Sequence, residues 1–331
     1  MKAAVYRRFG APEVVVLADM PKPTPGPEEV LIRVIASTVS IADHRARSRD
    51  VPRGLVLPTA LALGVFRPRK RVLGMDVSGV VQAVGKKVTL FAPGDEVIAM
   101  LGGKFGGHAE FARIKQDGAI AAMPTNLNFD EAVALVFGGL AAHGYLSRTR
   151  IGTGTRVLVN GASGAVGTAA VQLAKNLGAH VTAVCGARNA ELVSSLGADR
   201  VIDYTSTDFT TESDTYDVIM DCVGNAPFER VQHLIEPGGA LLLLMADLTG
   251  LLRAKSRSRK SGKLITAGGV DYQAVDLEFL VALAEAGRLR PVIDRSFDLA
   301  DIVAAHRFVD AGHKRGNVVL RVAADPEAPA T

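Results

Sequence analysis

Two rhythms of apolar and polar positions divide the chain. Over roughly the first 120 residues, short β-branched runs alternate with glycine and proline, as in EEVLIRVIAST, DVSGVVQAVG, GDEVIAM and AEFARI. This pattern predicts strands joined by turns, an all-β or mixed lobe. From about residue 128 the rhythm becomes helices set between continuous apolar strands: RVLVNGA, then AVGTAAVQLAKNLGA, HVTAVC, ARNAELVSSLG and RVIDY. The alternation goes on through YDVIMDCV, FERVQHLIEP, GALLLLM and KLITAGGV. Strands apolar on both faces and separated by helices predict a parallel sheet covered on each side, a doubly wound α/β domain. After a helix over residues 276–289, the tail from residue 291 reads as strand, helix, strand. The pattern alone leaves open whether this tail extends the second sheet or returns to the first lobe.

Length agrees with that division, because 331 residues exceed what one core fills efficiently. With 48% hydrophobic residues and 34 glycines the chain is expected to be soluble and globular. Its two cysteines, Cys185 and Cys222, exclude a four-cysteine zinc loop and fit a reducing compartment, so cytoplasm is the expected location. The opening residues carry charges before any long apolar stretch, unlike a secretory signal. The apolar stretch 55–66 contains Pro58 and is too short to span a bilayer.

The net charge of +4 is unevenly spread: RPRKR at 67–71 and RAKSRSRKSGK at 253–263 are concentrated basic runs. They read as solvated faces, with peripheral contact to an anionic surface or to RNA as the alternative. No DNA- or RNA-reading motif accompanies them, so no specific nucleic-acid partner is expected.

Gly161, Gly164 and Gly167 form G-x-x-G-x-x-G between an apolar strand and an alanine-rich helix. Glycine there lets backbone approach a pyrophosphate while the helix start offers free N–H groups, here those around Ser163, Gly164, Ala165, Val166 and Gly167. The next strand ends about twenty residues later, where an NAD-binding unit places an acid on the ribose hydroxyl. This chain has Gly186, Ala187 and Arg188 instead, which predicts NADP, its 2′-phosphate paired with the guanidinium. Lys175 and Tyr204, at the ends of neighbouring elements, are further candidates for that phosphate.

The β-rich lobe, NGASGAVGTAAVQLAK, and DRVIDY followed by YDVIMDCVG resemble the medium-chain dehydrogenase/reductase superfamily over nearly the whole chain. Within it, IASTVSIADHRAR, VLGMDVSGVVQAVG, FAPGDEVIAM, GGHAEFA and GHKRGNVVL resemble the zinc-free quinone oxidoreductase branch. The resemblance implies a Rossmann domain over 125–289 and a GroES-like catalytic domain over 1–124 and 290–331, the tail returning to complete the latter. It also implies a homodimer. Val223, Asn225, Met245 and Asn317 become cofactor contacts by the same comparison, and Ser40, His44 and Met75 become substrate contacts. Zinc-dependent relatives carry Cys where this chain has Ser40, and a His-Glu pair where it has Met75 and Asp76. Ser and Met are poor zinc ligands, so no catalytic metal is expected. Without a Lewis acid the plausible acceptors are small electrophiles that take hydride readily, quinones and α,β-unsaturated carbonyls. An alcohol or enoyl-thioester reductase is the alternative enzyme, and no general acid is evident from the sequence. Both thiols read as small apolar groups.

Overall fold

The computed structural model describes residues 1–324. In chain order its strands are β1 (Lys2–Tyr6), β2 (Val15–Asp19), β3 (Glu29–Thr38), β4 (Asp76–Val84), β5 (Glu96–Met100), β6 (Phe111–Lys115), β7 (Ile120–Ala122), β8 (Arg156–Asn160), β9 (His180–Cys185), β10 (Arg200–Asp203), β11 (Tyr216–Asp221), β12 (Ile235–Leu243), β13 (Leu264–Ala267), β14 (Ile293–Asp298) and β15 (Asn317–Arg321). The α-helices are α1 (Ile41–Ser48), α2 (Val56–Leu63), α3 (Phe129–Leu146), α4 (Ala165–Asn176), α5 (Ala190–Ser195), α6 (Phe228–Val231), α7 (Leu248–Ser261), α8 (Ala274–Glu285) and α9 (Ile302–Asp310). They form two compact units, residues 1–51, 57–140 and 272–324 in one and 52–56 with 141–271 in the other.

In the first unit a mixed sheet runs β14-β15-β3-β4-β5-β7, with β6 also paired to β3. The tail returns here: β15 pairs antiparallel with β3, Val319 opposite Thr38, and β14 lies parallel beside β15. The expected boundaries at 124/125 and 289/290 differ from this grouping, which adds 125–140 and 272–289 to the first unit. Ser78 Oγ of β4 donates to Phe129 O at the start of α3 at 2.7 Å, and α8 packs in turn on α3. A Cβ on Gly139 of α3 would lie 2.8 Å from Leu280 Cδ1 of α8, and Asn126 Nδ2 donates to Ala284 O at 3.1 Å.

The second unit is a six-stranded sheet in the order β10-β9-β8-β11-β12-β13. Every neighbouring pair is parallel, the arrangement of a classical dinucleotide-binding domain with its reversal between β8 and β11. The strands are apolar because helices cover both faces: Val157, Leu158, Val159, Val181, Ala183, Val184, Ile219 and Met220 are completely buried. The register aligns Asn160 with Val184 and Asp221, and Cys185 with Asp203, so the residues following each strand emerge along one edge. FERVQHLIEP shortens to the single turn α6 and a 3-10 turn because β12 already begins at Ile235. The basic run 253–263 proves to be mostly helix: Asp247 Oδ1 caps α7 by accepting from Gly250 N, and Gly262 ends it with φ 68°.

The first unit buries polar groups as well. The rings of His108 and His306 lie 6.0 Å apart, edge to face, and both are fully buried. Neither His306 nitrogen finds a hydrogen-bond partner among the described residues. Burial, and then the neighbouring His108, Arg47 and His44, hold its pKa well below the ordinary 6.5. An unfolded chain therefore takes up a proton near pH 6.5 that the folded chain refuses. This penalty is absent above that pH and grows by roughly 1.4 kcal/mol per unit as the pH falls below it. His306→Leu removes the penalty while filling similar space. The thermal midpoint of the wild type should fall further between about pH 7.5 and 5.5 than that of His306→Leu; parallel curves would rule the account out.

Candidate functional site

The carboxyl-terminal edge of the parallel sheet collects most of the predicted cofactor residues. β8 ends in Asn160, and Gly161 then turns with φ 79°, its amide and that of Ala162 both donating to Val184 O on β9. No side chain fits at Gly161 or Gly167. A Cβ on the first would lie 2.7 Å from Val223 Cγ2, and one on the second 2.2 Å from Gly161 O. α4 can start this close to β8 only because Gly167 has no side chain, and its first turn carries the amides of Ala165, Val166 and Gly167 ahead of any helical acceptor. Free amides and the positive end of a helix at one turn are the chemistry that a pyrophosphate requires.

Two buried polar groups that the sequence did not single out organise the same edge. Asp221, completely buried at the end of β11, accepts from the amides of Val223 and Gly224 at 3.0 Å through Oδ1 and from Ala226 N at 3.0 Å through Oδ2. Asn160 Nδ2 donates to Asp221 Oδ1 at 2.8 Å and to Asn225 Oδ1 at 2.6 Å. The carboxylate thus folds the loop after β11 and ties it to β8. Val223 and Asn225 are left exposed on that loop, and Gly224, with φ 96°, packs against Met245 Cβ. The sequence signal was available: each is a polar residue closing an apolar strand.

Beyond β9, a 3-10 turn over Ala187–Asn189 carries Arg188 outward, while the buried Asn189 donates through Nδ2 to Ser163 Oγ at 3.1 Å. Asn189 Oδ1 is buried with no partner among the described residues. Tyr204 is 58% exposed, its ring beside Gly186, where a Cβ would lie 3.4 Å from the hydroxyl. Asp203 stands one strand over, but its oxygens accept from Thr205 and from Ala187 N, and these bonds hold its pKa below the ordinary carboxylate value. Lys175 does not join this group. It sits on the last turn of α4, the end away from the glycine loop, and Nζ is bound to both oxygens of Asp199 at 2.9 Å.

The remaining candidates belong to the first unit. Ser40 is the N-cap of α1, its hydroxyl donating to Asp43 Oδ2 at 2.6 Å, and Asp43 Oδ1 accepts from Gly74 N. Its proton is therefore committed to a capping box, not offered to a substrate. His44 lies on α1 rather than in a loop, with Nδ1 2.6 Å from Asp310 Oδ1, and Asp310 also takes the buried Arg47 guanidinium. Met75 is half-buried, and its carbonyl accepts from Leu101 N at 2.6 Å. Asp76 is fully buried, accepts from Thr38 N and Thr38 Oγ1, and is pushed by burial up to about 7. Asn317 is also buried, and its amide donates to Ala134 O and Val292 O, tying α3 to the residue that precedes β14. Among the described residues no three His, Cys, Asp or Glu side chains cluster as a metal site would require.

Burial and the Asp203 carboxylate push Cys185 up to about 11, and burial with the Asp221 carboxylate pushes Cys222 up as well. The Asp221 network generates a prediction. Asp221→Ala strands three amides and one side-chain donor, a loss on the order of 3 kcal/mol. It should lower the unfolding midpoint and weaken dinucleotides with and without a 2′-phosphate equally, read by calorimetry and by titration of each. A loss confined to one of them would contradict a scaffolding role.

Two domain families match the chain: the alcohol dehydrogenase GroES-like domain over residues 26–125 and the zinc-binding dehydrogenase domain over 196–320. A chloroplastic quinone oxidoreductase of Triphysaria versicolor is 31% identical over 97% of this chain and 98% of its own length. The chloroplastic NADPH-dependent alkenal/one oxidoreductase of Arabidopsis thaliana is 29% identical over 97% of this chain and 79% of its own length. The solved quinone oxidoreductase of Coxiella burnetii superposes with a TM-score of 0.87 at 28% identity, covering 98% of this chain and 99% of that one. With the GroES-like match preceding the dehydrogenase match and relatives aligned over nearly its whole length, the chain belongs to the medium-chain dehydrogenase/reductase superfamily, in its quinone oxidoreductase branch.

Proposed function

We propose that the protein is an NADPH-dependent reductase of quinones or α,β-unsaturated carbonyls that works without a catalytic zinc. The observation that carries the cofactor half is Arg188, exposed just past β9 where an acid would otherwise meet the ribose. Gly186 leaves room beside Tyr204, and Asp203, the nearest acid in register, is engaged by Thr205 and Ala187. The cradle at Gly161–Gly167 would hold the pyrophosphate, Arg188 the 2′-phosphate, and the partnerless Asn189 Oδ1 is a ready acceptor for a ribose hydroxyl. When bound, the reduced nicotinamide supplies a hydride to the electron-poor carbon of the acceptor, and water supplies the proton.

The donor set supports the zinc-free half. Ser40 donates to Asp43, Asp76 accepts from Thr38, and Met75 offers only a thioether, so the oxygens at the positions that ligate zinc in relatives are engaged by Asp43 and Thr38 here. The Ser40 proton is held by Asp43 and His44 Nδ1 is held by Asp310, which favours acceptors whose conjugation spreads the developing charge. The names carried by relatives, a quinone oxidoreductase and an alkenal/one oxidoreductase, fit this substrate class. Two free thiols fit a reducing compartment, with the cytoplasm as the proposed location.

Turnover of NADPH and NADH, measured separately against a panel of quinones, enones and aldehydes, tests the reading. NADPH should be preferred, and Arg188→Ala should raise its KM about tenfold to a hundredfold while changing that for NADH little. Preference for NADH throughout would remove the role given to Arg188. A chelator should leave the rate unchanged; loss of activity with recovery on added zinc would refute the metal-free assignment.

A further inference from the structure

Residues 51–75 contain five basic side chains, Arg53, Arg67, Arg69, Lys70 and Arg71, and no Asp or Glu. The fold turns the apolar part of this stretch outward. On α2, Leu57 and Leu61 share a face one turn apart and are 68% and 56% exposed, whereas Ala60 is buried and Leu63 packs on the core of the first unit. The loop that follows is braced. Gly64 donates to Ala60 O at 2.9 Å and Arg69 N donates to Leu63 O at 2.8 Å, so residues 63–69 close on themselves. Gly64 has φ 118°, and a Cβ there would lie 2.0 Å from Arg67 O. The Arg49 guanidinium, stacked 3.5 Å over the Phe9 ring, donates to Gly64 O and Val65 O from below. Pro68 is buried. At the tip of this fixed loop Phe66 is 91% exposed, flanked by Val65 at 46% and by the exposed Arg67, Arg69, Lys70 and Arg71.

We infer that the face formed by Leu57, Leu61, Val65 and Phe66 with Arg67, Arg69, Lys70 and Arg71 docks on the surface of an anionic phospholipid bilayer. Exposed apolar side chains on a rigid tip, ringed by cations, match the two layers of such a surface. Apolar groups enter the acyl boundary, and arginine and lysine stay at headgroup level. A second copy docking the same face through a two-fold axis would set four cations against four. A nucleic-acid backbone would use the cations and leave Leu57, Leu61 and Val65 without a partner. α7 is equally basic, but Leu252 is its only large, highly exposed apolar side chain, which makes it an internal control. The inference stands on this surface alone and not on the redox reading.

Flotation of the full chain with phosphatidylcholine vesicles, with and without phosphatidylserine, tests it. Binding should require phosphatidylserine and weaken as salt is raised. Phe66→Ser should lower affinity about tenfold. Each of Arg67→Gln, Arg69→Gln and Lys70→Gln should lower it about fivefold. The triple variant Lys255→Gln, Arg259→Gln, Lys260→Gln on α7 should bind as the wild type does. Phe66 is almost wholly exposed, so unchanged thermal midpoints should accompany these losses. The inference is overturned if anionic vesicles are not bound, if the α7 variant alone loses binding, or if Phe66→Ser instead dissolves a dimer seen by light scattering. Binding of polyuridylate without binding of vesicles would equally overturn it.

Discussion

The approach of α4 to β8 is the constraint on which the second unit depends. Gly167 sits so near Gly161 O that one methyl group would collide with it at 2.2 Å, and relief could come only by moving the helix. Moving the helix would carry the amides of Ala165, Val166 and Gly167 away from the strand ends where β9, β11 and β12 deliver Arg188, Asn225 and Met245. A position that contributes no atoms beyond its backbone therefore sets the geometry of the whole edge. The Asp221 carboxylate completes the arrangement from the other side of the sheet reversal. It converts a loop of exposed residues into a fixed wall by satisfying the amides that a turn leaves without partners.

The interior of the first unit follows a different rule. Its polar side chains are satisfied by one another: Ser40 by Asp43, Asp76 by Thr38, Asp310 by His44 and Arg47. Removing any one member would strand a buried partner, so these groups act as sets rather than as individuals. That mutual commitment explains why the residues most reactive in isolation, a serine and a histidine in one helical segment, are poor candidates for chemistry here. His306 departs from this rule, a buried imidazole with no partner among the described residues and a pKa held well below its ordinary value.

Much of this was legible in the sequence where a period or a spacing carried the information. Continuous apolar strands between helices pointed to the parallel sheet, and three glycines at fixed intervals after RVLVN marked the tight turn between β8 and α4. Side-chain destinations were not legible. Lys175 lies within reach of the dinucleotide region by count, yet it ends a helix of about three turns that points it at Asp199. Asn317 and Ser40 have the right chemistry at the matched positions, but their hydrogen bonds go to partners 183 and three residues away, the first of which no local pattern reveals. Asp221 and Asn160 escaped notice for the opposite reason. Each looked like the polar end of a strand, and only the parallel register, which sets them side by side, turns them into a pair.

The surface loop at Phe66 is the converse of the cradle at Gly167. Both are held by glycine in a conformation or contact that no other residue tolerates, and both are braced by backbone hydrogen bonds. At Gly167 that rigidity leaves the amides of Ala165, Val166 and Gly167 ahead of any helical acceptor. At the loop it turns an aromatic ring toward solvent, an orientation that hydrophobic burial opposes and that a flexible loop would escape by folding the ring inward. A rigid presentation of apolar surface persists only where the chain gives it no route back to the core. Here Gly64, the buried Pro68 and the Arg49 guanidinium close that route. The exposed ring is thus a consequence of the local architecture, and the cations beside it narrow the surfaces it can meet to those that are apolar beneath and anionic above.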